Sequence, residues 1–168
     1  MKLSNGVEWA LHGCVTLSQA GEPVPAARLA ELHGIPRAYL AKHLQGLSRA
    51  GIVHSTAGQV GGYTLTRPAS AITVLEVVQA IDGTEPAYRC TEIRQNGPLA
   101  VPADQCSQPC AIARAMAAAQ DAWSAALSAI TIADLATGID ADSNGTALAD
   151  VRRWLTTTAG SARSREQE

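Results

Sequence analysis

Two side chains near the start of the sequence, Glu8 and His12, lie four residues apart in the segment EWALHGC. Residues at this spacing project side by side from one face of a helix. A carboxylate and an imidazole placed in this way can form a surface ion pair, or they can offer two ligands to one metal centre. Glu8 could also act as the capping-box partner of Asn5. The residues by themselves leave these three interpretations open.

The other residues with metal-binding or nucleophilic chemistry are four cysteines, Cys14, Cys90, Cys106 and Cys110. In a reducing compartment, cysteines indicate metal binding, catalysis or burial rather than disulfides. Cys14 is two residues beyond His12, about 200° around a helix, so we expect it to face the core as an inert apolar filler. Cys110 follows Pro109 in the first turn of a predicted long helix, where the helix dipole favours a thiolate.

Apolar periodicity and its punctuation predict three helices in the first third of the chain. They cover about residues 5–20, with Ser4 or Asn5 as the cap, residues 25–33, and residues 36–51. Each of the last two begins at a proline and ends at a glycine, as helices commonly do. Two short helices joined by a tight turn that contains glycine are typical of a helix-turn-helix.

The pattern then changes to two β-prone runs, residues 52–56 and 62–66, which flank a glycine-rich tip. This predicts a hairpin, and a hairpin beside a helix-turn-helix is typical of a wing. A fourth helix follows, with Thr73 and Glu76 as a capping box and Gly83 as its end. We therefore expect a mainly α fold with a small β-wing, a winged helix-turn-helix.

Residues 84–108 show no periodicity, and a stretch of this length inside a compact domain is usually functional or disordered. After it, a long alanine-rich helix carries apolar side chains along one side, namely Ile112, Met116, Trp123, Leu127 and Ile130. It has more apolar surface than a small wing domain can cover, which predicts a dimerisation helix; the alternative is that it folds back on its own core. Beyond residue 138 the sequence is polar, with a short helix predicted around 148–155.

These elements divide the chain into four parts. We expect residues 1–83 to form a winged-helix DNA-binding domain, 84–108 a cysteine-bearing loop, 109–137 a dimerisation helix with a short following helix, and 138–168 a C-terminal extension that is partly disordered.

Charge is distributed unevenly along the 168 residues. The net charge of −2 hides a split, because residues 1–67 carry six basic and three acidic side chains, and the remainder carries seven basic and twelve acidic ones. A basic partner surface is therefore expected in the first 67 residues. No signal-peptide pattern and no run of 18 apolar residues is present, so we expect a cytoplasmic protein without a membrane span.

The third predicted helix has a polar face opposite its core stripe of Leu40, Leu44 and Leu47. Such a face suits a DNA major groove, since arginine and glutamine offer bidentate hydrogen bonds to base edges, while lysine and arginine suit phosphates. The alternative is that this polar face is simply exposed to solvent and has no role in DNA binding. The candidate DNA-contacting residues here are Arg37, Tyr39, Lys42, His43, Gln45 and Arg49.

Several motifs in their order resemble the IscR/NsrR-type winged-helix transcriptional regulators. They are MKLS, IPRAYLAKHLQGLSRAGIV, the wing GGYTLTRP, ITVLEVVQAIDG, the cysteine-bearing loop and TIADL, and they cover about residues 1–137. The resemblance implies a bacterial homodimer that binds a double-stranded DNA operator. Many members of this family hold an iron-sulfur cluster with loop cysteines and a residue outside the loop.

Applied to this sequence, the resemblance implies a [2Fe-2S] cluster and a redox-sensing role. The implied ligands are Glu8 and His12 of one subunit with Cys90 and Cys110 of the other, and Cys106 is the alternative thiolate. Trp9, beside Glu8, is a candidate for repacking during a switch, or else an ordinary core or interface aromatic. The wing carries Ala57-Gly58-Gln59 where family wings often carry an arginine, and Gln59 completes the DNA-contacting candidates.

Two other classes of protein fit parts of the pattern. A zinc site built from the three loop cysteines and His12 would make a constitutive DNA-binding module. An electron-transfer protein would hold a cluster without a DNA surface. An enzyme is not expected, because no cysteine has a histidine or an acid placed by motif to activate it.

Overall fold

The computed structural model describes residues 3–58 and 61–164, with side chains described as far as residue 157. These residues form seven helices and one hairpin, joined by short 3-10 turns. In chain order they are α1 (Asn5–Ser18), α2 (Ala26–His33), α3 (Arg37–Arg49), β1 (Val53–Thr56), β2 (Gly62–Leu65), α4 (Val74–Asp82), α5 (Ala111–Ser128), α6 (Ile132–Asp142) and α7 (Ala147–Ser164).

The predicted helix-turn-helix is present as α2 and α3. Gly34 ends α2 in the left-handed conformation at φ 62°, and Ile35 donates its backbone N–H to the carbonyl of Ala30 at 2.9 Å. Such an end satisfies carbonyls that the helix leaves unpaired. Pro36 occupies the N-cap position of α3 at φ −58°, so the chain turns within a few residues.

The predicted wing is present as β1 and β2, which pair antiparallel from Val53 opposite Leu65 to Thr56 opposite Gly62. Tyr63 of β2 also exchanges two backbone hydrogen bonds with Val24, at 2.8 and 3.0 Å. The segment before α2 thus closes against the wing. This contact requires a glycine at 62, because a Cβ there would lie 2.5 Å from the carbonyl carbon of Val24.

The core gathers around α1. Ala10, Cys14 and Leu17 on its inner face are at most 4% exposed, and they pack against a cluster drawn from α2, α3, α4, α6 and the wing. Burial of each large apolar side chain contributes about 1.5–3 kcal/mol to folding. The fully buried members include Leu29, Leu40, Leu44, Leu47, Ile52, Ile72, Val77 and Ile132.

Helix α4 begins as predicted, with Thr73 and Glu76 forming a complete capping box. The start of α1 differs from the prediction that Ser4 or Asn5 caps it. Ser4 is at the N-cap position without a capping bond from its side chain, and its hydroxyl and backbone N–H both donate to the carboxylate of Asp82, at 2.5 and 2.9 Å. The beginning of α1 is therefore tied to the end of α4.

Helix α5 has no buried residue over its 18 positions. Its second half folds back, because Trp123 and Leu127 pack against a small cluster that includes Val7 and Val78. Its first half does not, since Ile112 is 63% and Met116 40% exposed. The fold-back alternative thus describes the second half of this helix, and the prediction of a dimerisation helix remains a prediction.

The C-terminal part is more helical than the predicted short helix around residues 148–155. Helix α7 runs from Ala147 to Ser164, and α6 continues to Asp142, beyond the predicted division at residue 137. Trp154 of α7 stacks on the Arg28 guanidinium at 3.6 Å, and Arg152 donates to the side chain of Gln19 at 2.6 Å. These contacts join α7 to α2 and to the end of α1. Among the described residues, no helix combines the length and the apolar character needed to cross a membrane.

A pair of glycine substitutions tests the closure of the wing. Gly62→Ala should destabilise the protein by about 1–3 kcal/mol, because the new methyl group overlaps the backbone of Val24. Gly138→Ala is the matched control, since Gly138 lies within α6 and its added Cβ meets only open space. That change should stabilise by up to about 1 kcal/mol through helix propensity. Urea unfolding followed by circular dichroism measures both, and a Gly62→Ala protein as stable as the wild type would contradict the described wing contact.

Candidate metal centre and nucleic-acid interface

The outer face of α3 carries most of the predicted DNA-contacting side chains in solvent-exposed positions. Arg37, Tyr39, Lys42, Gln45 and Arg49 are all exposed, and Tyr39 is 61% exposed although it is large and aromatic. The core stripe on the opposite face is buried as predicted. Helix α3 therefore presents cations and bidentate hydrogen-bonding groups outwards, while its leucines hold it to the domain.

A cleft of about 350 Å3 lies between this face and the wing. It is lined by Gln45, Ser48 and Arg49 of α3 and by Ser55 and Tyr63 of the wing. Three hydroxyls beside one guanidinium make a group that suits a backbone phosphate. The sequence reasoning missed Ser48, Ser55 and Tyr63, although Tyr63 stands in the GGYTL segment of the wing. Gln59 lies outside the described residues.

His43 is placed differently from the other candidates on α3. Its ring is half-buried against α1, where a Cβ on Gly6 would lie 2.3 Å from the His43 Cε1 atom. Burial lowers the pKa of His43, as does the charge of Lys42, while Asp82 acts in the opposite direction. The structure thus groups His43 with the α1 contact rather than with the exposed face.

Trp9 lies at the contact between α1 and α3. Its half-buried ring meets the rings of Tyr39 and His43 edge-on, with centroids 6.3 and 5.7 Å away. Edge-to-face pairs of this kind add about 0.5–1.5 kcal/mol each to the packing. The residue next to Glu8 therefore contacts α3 directly.

Glu8 and His12 are both exposed on the outer side of α1. They border a cleft of about 560 Å3, lined mainly by apolar side chains of α1 and α6, including Leu11, Leu135 and Ile139. Within the described part of the chain, no ion pair joins Glu8 to His12, and Glu8 does not cap α1. Two of the three interpretations of this pair are thus absent from the structure.

His12 also approaches a histidine that the sequence reasoning did not consider. Its ring centroid is 5.7 Å from that of His33, the last residue of α2. The Nε2 atom of His33 is hydrogen-bonded to the hydroxyl of the buried Thr16 at 3.0 Å. Burial lowers the pKa of His33, and the charge of His12 lowers it further.

The cysteines occupy distinct environments. Cys14 is fully buried, as predicted, and burial raises the pKa of its thiol to about 12. Cys90 is exposed, and its Sγ accepts the backbone N–H of Glu92 at 3.4 Å. Cys106 is half-buried at the end of a 3-10 turn, Ala103–Cys106.

Cys110 is the N-cap residue of α5, and its Sγ accepts the N–H of Ala113 at 3.4 Å. This hydrogen bond, a second one from Ile112 and the guanidinium of Arg94 lower the pKa of the Cys110 thiol, against opposing effects of desolvation and of Glu92. Helix N-termini and nearby cations favour thiolates in general. The position predicted for Cys110 at the helix start is confirmed.

The thiols of Cys90 and Cys110 suit an iron-sulfur cluster as part of its set of ligands. Sulfur atoms that accept backbone N–H groups are typical ligands of such clusters, and Cys90 and Cys110 both have this arrangement. However, no three potential ligands among the described residues come together as a metal site within one chain. The described part of one chain therefore does not bring the thiols of the loop and the Glu8–His12 pair on α1 together as a metal site.

Known proteins resemble this chain in sequence and in fold. The sequence profile of the Rrf2 family, described as an iron-dependent transcriptional regulator, matches residues 3–138. Over 76 residues the chain is 41% identical to the HTH-type transcriptional regulator IscR of Escherichia coli K12, covering 45% of this chain and 47% of that protein. The chain thus spans about half the length of the curated relatives it matches.

Two solved structures share its architecture. The global cysteine regulator CymR of B. subtilis superposes with a TM-score of 0.65 at 22% identity, over 82% of this chain and 97% of CymR. The IscR of T. potens superposes with a TM-score of 0.62 at 21% identity, over 83% of this chain and 88% of that IscR. The predicted winged-helix fold is thereby confirmed.

The thiol environments predict different reactivities in the metal-free protein. A lowered pKa means that the Cys110 thiolate is already populated below the ordinary thiol pKa of 9.0, so its alkylation by iodoacetamide should rise at lower pH than that of a free cysteine. Cys14 should remain unmodified in the folded state across this pH range. Peptide mass mapping over a pH series measures both, with unfolded protein as the control. Alkylation of Cys14 at the rate of Cys110 would contradict the described burial.

Proposed function

Since this chain belongs to the Rrf2 family of transcriptional regulators, we propose that it is a homodimer that binds a double-stranded DNA operator and senses redox state through a [2Fe-2S] cluster. The ligands are Glu8 and His12 of one subunit with Cys90 and Cys110 of the other. The observation that carries the proposal is the environment of the two thiols, because Cys90 and Cys110 each accept a backbone N–H, as the sulfur atoms of cluster ligands do.

Exposed apolar surface supports the dimer. Ile112 and Met116 lie on the first half of α5, shortly after Cys110, and are 63% and 40% exposed in one chain. The cleft beside Glu8 and His12 offers apolar lining from α1 and α6. When the first half of the partner's α5 covers this cleft, apolar surface is buried on both sides, and the loop thiols come to the carboxylate and the imidazole.

The hydrogen bonds to the cysteine sulfur atoms also favour one thiolate over another. Cys110 accepts backbone N–H groups at a helix start, and Cys90 accepts the N–H of Glu92, whereas Cys106 ends a short turn. These contacts support Cys110 rather than Cys106 as the second thiolate. The alternative is a zinc site from Cys90, Cys106, Cys110 and His12, which would make a constitutive DNA-binding module.

The side chains around α1 can convey a charge change to the DNA-binding helices. A bound cluster of this kind supplies one-electron redox chemistry, with a potential raised by imidazole ligation relative to an all-cysteine site. Trp9 contacts Tyr39 and His43 of α3, and His12 approaches His33 at the end of α2. A shift of α1 therefore acts on both helices of the helix-turn-helix, whose two copies must match half-sites about 34–36 Å apart.

Substitutions on α3 test the DNA interface. Arg37→Ala or Gln45→Ala should relax sequence preference, because each removes a bidentate donor from the exposed face. Lys42→Ala should weaken binding to all duplexes and lower the salt slope by about one. Arg153→Ala removes the same charge from α7, at a side chain that is 72% exposed and paired with Asp150, and it should leave the slope unchanged. Fluorescence anisotropy with a selected operator measures these effects. Unaltered binding by all three α3 variants would refute the DNA-binding role of this face.

Ligand substitutions, with absorption spectra and iron and sulfide analysis after anaerobic purification, test the cluster. Cys90→Ala, Cys110→Ala and His12→Ala should lose it, Glu8→Gln should shift its spectrum, and Cys14→Ala should keep it. Cys106→Ala should retain most of its iron, and a colourless Cys106→Ala protein beside a brown Cys110→Ala protein would reverse the choice of thiolate. Colourless wild-type protein with one zinc per chain would replace the cluster by the zinc alternative.

A mixed dimer of one His12→Ala chain and one Cys90→Ala chain tests the sharing of ligands between subunits. Shared sites leave one intact set in this dimer, and sites within a chain leave none. We expect about half of the wild-type cluster content. A mixed dimer without a cluster, beside a wild type that holds one, excludes the bridging arrangement.

A further inference from the structure

The loop between α4 and α5 lacks regular secondary structure, apart from 3-10 turns, and yet its two predicted thiolate ligands are connected through one ion pair. We propose that Glu92 and Arg94 form a bracket that holds the Cys90 and Cys110 ends of the loop together before any metal binds. This inference rests on the proposed function for its purpose, since it treats the two cysteines as ligands. The bracket itself consists only of contacts within the chain.

The ion pair at the centre of the bracket has two-point geometry. The Nε atom of Arg94 donates to Glu92 Oε1 at 2.5 Å, and its Nη2 atom donates to Glu92 Oε2 at 2.8 Å. The two side chains are only 28% and 32% exposed. Paired charges of this kind are stronger than a single contact between exposed lysine and carboxylate, because the planar fork fixes both direction and distance.

Glu92 connects this pair to Cys90. Its backbone N–H donates to the Cys90 Sγ at 3.4 Å, and its own backbone is left-handed, at φ 52° and ψ 49°. This conformation costs about 1 kcal/mol for a residue that has a Cβ, so other contacts must hold it. The ion pair between its carboxylate and Arg94 is such a contact.

Arg94 connects the pair to the other end of the loop. Its Nη2 atom also donates to the backbone carbonyl of Gln108 at 3.0 Å, two residues before Cys110. Its own carbonyl accepts the N–H of Val101 at 2.8 Å. One side chain and its peptide unit therefore fasten three separate parts of the loop, and the guanidinium comes close enough to Cys106 and Cys110 to interact with their charge.

A preset loop has a direct consequence for metal binding. Ordering a free loop of this length around a cluster would cost conformational entropy at the moment of binding. A loop whose residues 92 and 108 are already held together loses less conformational entropy on binding, so it holds the cluster more tightly. The guanidinium also lessens the repulsion between thiolates, which arginine and lysine both do, whereas only arginine offers the fork.

The bracket is tested first in the metal-free protein, by the rate at which a loop amide exchanges its hydrogen. Hydrogen–deuterium exchange at the Val101 amide should be slow in the wild type and about tenfold faster in Arg94→Gln and Glu92→Gln, because each change removes a charge-assisted contact. Arg94→Lys keeps the charge and loses the fork, so it should exchange nearly as fast as Arg94→Gln. Arg89→Gln is the matched control, since Arg89 is 72% exposed in the same loop and pairs with Glu85. It should exchange at the wild-type rate.

The second measurement is cluster retention in the reconstituted protein. Arg94→Gln should release iron to a chelator about tenfold faster than the wild type, and Arg89→Gln should release it at the wild-type rate. Unprotected Val101 in the wild type, or equal exchange in the wild type and Arg94→Gln, overturns the bracket. If the wild type holds no cluster, the proposed function fails, and the exchange difference in the metal-free protein still decides the bracket.

Discussion

The burial of one face of α1 is the constraint on which the rest of the structure depends. Ala10, Cys14 and Leu17 fill the centre of the core, where α2, α3, α4, α6 and the wing all meet the helix. Protein interiors are close-packed, so such a helix cannot move on one side without displacing its neighbours on the other. Glu8 and His12 lie on the exposed side of the same helix. A ligand site built there would thus be mechanically coupled to the winged-helix domain.

Close contacts join α1 directly to α2, α3 and α4. Gly6 allows α1 to approach α3 so nearly that a methyl group would overlap the ring of His43. Trp9 meets two rings of α3, and the ring of His12 lies near His33 at the end of α2. The tie between Ser4 and Asp82 holds the beginning of α1 to α4, on which α5 packs. The helix that bears half of the proposed ligands consequently contacts both helices proposed to meet DNA.

The cysteine-bearing loop is ordered by a different kind of interaction. Its apolar side chains Ile93 and Leu99 are 73% and 90% exposed, so apolar burial within one chain does not shape it. Polar contacts do, above all those of Arg94 with Glu92 and with the carbonyl of Gln108. Charge-assisted contacts between residues of irregular spacing leave no periodic trace in a sequence. This is why the loop could be recognised as non-helical and as a carrier of thiols, while its internal order could not be foreseen.

The sequence by itself determined the features that depend on neighbouring residues. Apolar periodicity and its punctuation located α1 to α3 and α5, and the helical repeat indicated the inward direction of Cys14; a proline and a glycine marked the limits of α3; and Thr73 with Glu76 specified the capping box of α4. All of these involve residues within one or two helical turns of each other, where backbone geometry alone decides which side chains meet.

Only the tertiary structure decided which groups from distant parts of the chain become partners. Ser4 uses its hydroxyl for Asp82, 78 residues away, instead of capping α1; His43 turns to α1 rather than outwards; and α5 divides into a packed and an exposed half. The separation of the Glu8–His12 pair from the loop thiols belongs to the same class. Each outcome depends on how the helices pack in three dimensions, because the choice of a hydrogen-bond partner or a covering surface is made between whole elements and not along the chain.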